Sequence, residues 1–194
     1  MLRRFRIAAW ILVALAAIGI GLLWLRLEQR PATTSVSFGG PFTLVGADGQ
    51  PFQSSRLNNR PYALFFGFTH CPDVCPTTLA RLVQLRDQLG KGPQAFEIVF
   101  ITVDPERDGP KAVGTFATAF NSPIIGLTGS PAQIDRVKKQ FGIYSEKVAN
   151  GPGDYTVDHT ATVLLFAKGG KFDGTIAHEE QPDAALAKLK RLTS

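Results

Sequence analysis

Two cysteines occur in 194 residues, and both fall in the run Thr69-His70-Cys71-Pro72-Asp73-Val74-Cys75-Pro76. An apolar run, Tyr62 to Phe68, leads into them, and a helix is expected to open near Pro76, with proline at its first position. Thiols four positions apart at the head of a helix share one face. The partial positive charge and free N–H groups of a helix N-terminus favour thiolate over thiol. A pair placed this way can close into a disulfide or grip a soft metal ion.

Imidazoles are the next candidates, and there are three: His70, His159 and His178. His159 sits in Tyr155-Thr156-Val157-Asp158-His159-Thr160-Ala161, after the glycine-rich stretch 149–154, which reads as irregular. It directly precedes the apolar strand expected over Thr162–Ala167. In a thioredoxin-like order of elements the loop before that strand lies beside the cysteine helix, so His159 is expected to reach Cys71 and Cys75. Thiolates suit Cu(I) and imidazole suits Cu(II), so the three together suit copper. A plain redox dithiol formed by Cys71 and Cys75 stays open as an alternative. Zinc is disfavoured: the C-x₃-C spacing lies within its range, but structural zinc takes four ligands and no second pair exists. His70 is expected to point away from the thiols, and His178, beside Glu179 and Glu180, to be solvated. Asp73 is a candidate outer partner of the thiols, or a turn residue. Asp158 is a candidate to orient His159, or a solvent-facing group.

These residues need a frame. Phe38–Val45 reads as a short strand, followed by a turn and a second strand at Pro51–Gln53. Tyr62–Phe68 and Glu97–Val103 are apolar enough to be strands buried on both faces. Helices are expected over Pro76–Leu89, Pro110–Phe120, Pro131–Phe141 (with Ser130 as its cap) and Pro182–Leu192, and a strand over Ile124–Leu127. Thr162–Ala167 and Lys171–Ala177 form a hairpin around Lys168-Gly169-Gly170. Strands alternating with helices, then a hairpin and a final helix, predict an α/β thioredoxin-like fold: a mixed central sheet flanked by helices.

The N-terminus speaks to location. Residues 7–25 carry no charge, and at about 1.5 Å per residue they approach the roughly 30 Å of a bilayer core. Arg3, Arg4 and Arg6 precede this run, so the positive-inside rule keeps Met1 in the cytoplasm and exports the rest. A cleaved signal is the plainer alternative, since Ala14-Leu15-Ala16 has the small-x-small pattern. The apolar run continues past it through Leu25, which favours a retained anchor. The expected organisation is a cytoplasmic stub and transmembrane anchor over 1–30, a linker over 31–37 and a thioredoxin-like copper-binding domain over 38–194. In a bacterium this is a single-pass protein of the inner membrane with a periplasmic domain. Residues 1–30 hold five Arg and one Glu, leaving the remainder of the +5 chain near neutrality. The charge therefore supports no nucleic-acid partner. A structural disulfide is the common use of exported cysteines. A bridge across three residues, however, restrains little of the unfolded chain.

The sequence resembles the SCO/SenC family of copper chaperones. The likeness rests on Gly39-Gly40-Pro41-Phe42, on Phe66 to Pro76 around the cysteines, on Ile101-Thr102-Val103-Asp104-Pro105-Glu106-Arg107-Asp108 and on Val157-Asp158-His159. It implies a membrane-tethered protein that binds copper through Cys71, Cys75 and His159. The family helps assemble the copper A centre on subunit II of cytochrome c oxidase. It delivers copper, reduces that subunit's cysteines, or does both, and a second copper chaperone and a thiol reductant are its further expected partners. A thiol–disulfide reductase using Cys71 and Cys75 is the alternative. Against it, such enzymes use C-x-x-C, and Asp158-His159-Thr160-Ala161 lacks the proline that thioredoxins place before the facing strand. A peroxiredoxin is disfavoured, because its motif needs proline and threonine where Leu64 and Phe68 stand.

Overall fold

The computed structural model describes residues 3, 6, 10, 14–21 and 38–194, which divide into two compact units, Met1–Ser37 and Phe38–Ser194. In the first unit the described residues are helical. Among the described residues no helix is long and apolar enough to cross a membrane. Much of the expected span 7–25, and all of the expected linker 31–37, lie outside the described residues.

The second unit is a mixed α/β fold. Its strands are β1 (Thr43–Gly46), β2 (Pro51–Gln53), β3 (Tyr62–Gly67), β4 (Glu97–Thr102), β5 (Ile125–Thr128), β6 (Ser145–Ala149), β7 (Tyr155–His159), β8 (Val163–Ala167) and β9 (Lys171–Ile176). Its α-helices are α1 (Val74–Gln88), α2 (Pro110–Thr118), α3 (Pro131–Gln140) and α4 (Pro182–Leu192). Seven strands form one sheet in the order β2-β1-β5-β4-β3-β8-β9, with β3, β4 and β5 parallel and the flanking pairs antiparallel. All six residues of β3 are buried, which explains its unbroken apolar sequence.

Alternation along β3 assigns the layers. A Cβ at Gly67 would meet Cys75 of α1 and the Phe100 ring, while its neighbour Phe66 meets Phe141, just past α3, at 5.8 Å between ring centroids. Successive side chains point to opposite faces, so α1 and α3 cover opposite sides of the sheet. Phe100 also packs on Phe116, placing α2 on the α1 side, where α4 lies against α1. The expected helices on both faces are present.

Two local expectations change. The cysteine helix opens at Val74, two residues before Pro76. Proline is tolerated there because its missing N–H is one of the first-turn groups that lack an intrahelical acceptor. The loop expected before β8 is a strand at His159: β6 and β7 form a separate antiparallel ribbon, with Ser145 opposite His159 and Ala149 opposite Tyr155. The glycine-rich segment is its tip, where Gly151 (φ +109°) and Gly153 (φ +77°) take left-handed backbone and Asn150 N–H donates to the Asp154 carbonyl.

Candidate metal centre

β3 and β4 are parallel and end in register, with Gly67 opposite Thr102. Their carboxyl ends therefore deliver Phe68–Cys71 and Val103–Asp108 side by side, the usual place for chemistry in a parallel sheet. The Asp108 carboxylate, fully buried, ties the two segments together. It accepts from Thr69 N–H (2.8 Å), Thr69 Oγ1 (2.6 Å) and Thr102 Oγ1 (2.6 Å). The cysteine loop is thus fixed before its first sulfur.

Cys71 sits in the turn ahead of α1, not on the helix, and its N–H donates to the Phe68 carbonyl at 3.2 Å. Its sulfur comes back over the helix start and accepts from Cys75 N–H at 3.4 Å. Asp73, at the cap position, makes no side-chain cap bond; its carboxylate accepts from Thr77 Oγ1 instead. Cys75 is fully buried and Cys71 half-exposed, and both are free thiols. Cys75 fits against β3 only because residue 67 is glycine, since a Cβ there would lie 2.7 Å from its sulfur.

Cys75 Sγ lies 3.6 Å from His159 Nε2, so the structure brings together the histidine and cysteine that the sequence separates by 84 positions. The ring's other nitrogen, Nδ1, faces the Val157 carbonyl at 3.2 Å. A carbonyl only accepts, so Nδ1 carries the proton and Nε2 turns its lone pair to the sulfur. Phe68 and Phe65 meet the ring edge-on at 5.6 and 6.3 Å. Two metal ligands bound at about 2.3 Å (sulfur) and about 2.0 Å (nitrogen), with trigonal or tetrahedral angles, stand about 3.5–3.7 Å apart. The observed separation falls in that interval. Among the described residues, no three His, Cys, Asp or Glu side chains are already gathered in metal-binding geometry.

The thiols titrate as a pair. A hydrogen bond from Cys75 pulls Cys71 down to about 5 against the opposing effect of burial, helped by the backbone N–H groups of Cys75 and Asp73. The same bond to Cys71, then burial, pushes Cys75 well above the ordinary thiol value. At neutral pH the pair holds one thiolate, on Cys71, and one thiol, on Cys75.

The other sequence candidates fall outside this contact. His70 Nδ1 lies 3.2 Å from Thr69 Oγ1 and 3.4 Å from Asp108 Oδ1, and its ring lines a different cavity. His178 Nδ1 meets Thr78 Oγ1 at 3.2 Å. Asp158 is exposed and, with Asp73, borders an open cleft of about 280 Å³ that also reaches Cys71 and His159. Of the two roles open to Asp158, the solvent-facing one holds: the Val157 carbonyl, on the same strand two residues back, occupies His159 Nδ1.

A second network was not apparent from the sequence. Buried Asp104 accepts from Arg107 Nε (2.5 Å) and from the Tyr155 hydroxyl (2.9 Å). The Arg107 guanidinium lies 3.7 Å from the centre of the Tyr155 ring and donates to the Tyr155 carbonyl at 2.8 Å. This clamp fastens the start of β7 to the loop after β4. At the other end the ribbon closes on itself: Thr160 N–H donates to the Tyr144 carbonyl and the Thr160 hydroxyl accepts from Tyr144 N–H, both at 3.1 Å. The signal available in the sequence was a pair of aspartates directly after a buried strand, at the same sheet end as the cysteines.

The family model described as SCO1/SenC matches residues 30–194. The chain belongs to the SCO1/SenC family. It is 34% identical over 194 residues to an SCO2-like protein of Rickettsia felis, covering 93% of this chain and 94% of that one. It is 36% identical over 141 residues to the mitochondrial SCO1 homolog 1 of Arabidopsis thaliana, covering 72% of this chain but only 42% of that longer relative. Among solved structures, copper-bound ScoI of Bradyrhizobium japonicum is 39% identical with a TM-score of 0.72, covering 80% of this chain and 99% of that one. BsSco, a member of the Sco family of cytochrome c oxidase assembly proteins in which a disulfide switch was identified, is 25% identical with a TM-score of 0.58, covering 79% of this chain and 92% of that one.

Proposed function

We propose that this protein binds copper through Cys71, Cys75 and His159. It passes the ion to the copper A centre of cytochrome c oxidase subunit II from the periplasmic face of a bacterial inner membrane, where residues 7–25 anchor it. The observation that carries this reading is the Cys75–His159 contact: a lone pair and a sulfur held 3.6 Å apart, the spacing that two ligands of one ion require, with a thiolate beside them. Copper-bound ScoI, a relative of the same fold, supports copper as the ion. Sulfur favours Cu(I) and imidazole favours Cu(II), so the set holds either state. The half-exposed Cys71 gives an incoming acceptor ligand a first sulfur to displace. Asp73 and Asp158 line the same cleft.

Replacing His159 by Ala should weaken Cu(II) binding more than Cu(I) binding in titrations of the reduced protein. Equal losses for both ions would count against its role. Delivery itself is tested by asking whether the reduced, copper-loaded protein raises the copper content of a metal-free acceptor whose cysteines are already reduced.

A second reading has its own observation. A thiolate at Cys71, half-exposed and held at about 5, is an activated nucleophile next to a resolving thiol. As a reductase of the acceptor's disulfide, the protein would need Cys71 and Cys75 but not His159. Under that reading Cys71→Ser and Cys75→Ser abolish acceptor reduction while His159→Ala leaves it nearly intact.

A further inference from the structure

Beyond the wall formed by Thr69, His70 and Cys71 lies a second open cavity of about 620 Å³, lined by His70, Arg107, Lys111 and the start of α2. Its chemistry is opposite to that of the thiol cleft. No carboxylate lines it, whereas Asp73 and Asp158 border the cleft, which has no Lys or Arg. Asp108 lies behind the groove, fully buried; its oxygens accept from Thr69 and Thr102, and Oδ1 also lies 3.4 Å from His70 Nδ1. Lys111 is exposed and makes no ion pair among the described residues. Arg107 is held by Asp104, Asp154 and the Tyr155 carbonyl, with its Nη2 buried, so Lys111 is the cation the groove presents unpaired among the described residues.

The start of α2 adds to this. Its cap is Gly109, which has no side chain to contribute, and its first turn has no acidic residue. The N–H groups of Lys111 and Ala112 therefore face the groove without an intrahelical acceptor.

We propose that this basic groove is the docking surface for a carboxylate-rich segment of the acceptor protein. The acceptor's Asp and Glu side chains would meet Lys111 and the α2 N-terminus while its metal ligands come over the cleft. Adjoining cavities of opposite sign specify an orientation as well as an attraction, because a rotated partner would bring carboxylates against Asp73 and Asp158. The inference rests on the delivery reading only for the identity of the partner.

The test uses the full chain in detergent, reduced and copper-loaded, with the soluble copper A domain of cytochrome c oxidase subunit II as the probe. Lys111→Glu touches no proposed metal ligand. Its copper affinity should equal that of the parent protein, while the second-order rate of copper transfer should fall about tenfold at low ionic strength. The two rates should converge as salt shortens the screening length. Binding of the metal-free proteins to the same domain, followed by calorimetry across the same salt series, should weaken in parallel. If the parent transfers copper and Lys111→Glu does so equally fast at low salt, the groove is not the docking surface, although delivery stands. If the parent moves no copper but binds the domain in a salt-dependent way that Lys111→Glu weakens, the groove holds and delivery falls. A parent that neither binds nor transfers overturns both.

Discussion

At Gly67 a methyl group would sit 2.7 Å from Cys75 Sγ and 3.0 Å from the Phe100 ring, and the Phe65 ring closes the third side at 3.2 Å. None of the three can yield without disturbing β3 or the sulfur. Gly67→Ala should cost about 1–3 kcal/mol in denaturant unfolding. It should also lower copper affinity, because relief comes most readily by pushing Cys75 off β3. Cys71 permits a prediction in pH. Its folded value, about 5, lies below the ordinary thiol value of 9.0. Alkylation of the reduced, metal-free protein should therefore follow a midpoint near pH 5. A lowered value means that the thiolate's contribution to stability is complete above the unfolded value and is lost as pH falls through about 5. The stability gap between the parent and Cys71→Ser should shrink between pH 7.5 and 4.5 in urea melts. Copper capture near pH 7 should release about one proton, from Cys75, because Cys71 has none left to give. The approach of His159 to Cys75 was legible from the order of elements, which sets the segment before β8 beside the cysteine helix. Asp104 and Asp108 were not: an aspartate after a strand reads as solvated until its donors on other segments are seen.

The cysteines stand at the carboxyl end of β3 and the start of α1, and the histidine on the two-stranded ribbon, which a few side-chain groups tie to the rest of the unit. Tyr155→Phe removes one of these, the hydroxyl that donates to buried Asp104. A hydrogen bond to a charged group contributes about 1.5–3 kcal/mol, so the ribbon should loosen while the seven-stranded sheet stays intact. Cu(II) affinity should drop in equilibrium titrations, Cu(I) affinity much less, and the far-ultraviolet spectrum should not change. Equal losses for both ions would mean that the clamp supports the sulfurs instead. The sheet strands were visible as runs of buried residues, and α3 was visible from its cap, where Ser130 and Gln133 exchange bonds in a full capping box. The ribbon was not visible. Ser145–Ala149 has no buried residue and Tyr155–His159 only Val157, so neither strand carries the alternation that marks a strand half-covered by a core.

At the level of the whole chain, the candidate centre and both cavities beside it lie within Phe38–Ser194. The fold of that unit was expected from element order, because strand–helix alternation ending in a hairpin and a helix admits few arrangements. A protein begun at residue 38 should fold and bind copper with the affinity of the full chain, measured by the same titration. Only the full chain should sediment with membranes after a high-salt wash. Copper transfer to an acceptor embedded in the same bilayer should then slow for the shortened form by the ratio of effective concentrations.

The ribbon's small attachment has one more consequence. If a partner draws the whole ribbon aside at its base, where His159 pairs with Ser145, the imidazole departs with it and the two sulfurs stay at the end of β3 and the start of α1. A pair of thiolates alone is a linear seat for the cuprous ion and a poor one for the cupric ion. Opening the arm would then shed one valence and retain the other, so the mechanics of a hairpin would decide which form of the metal travels.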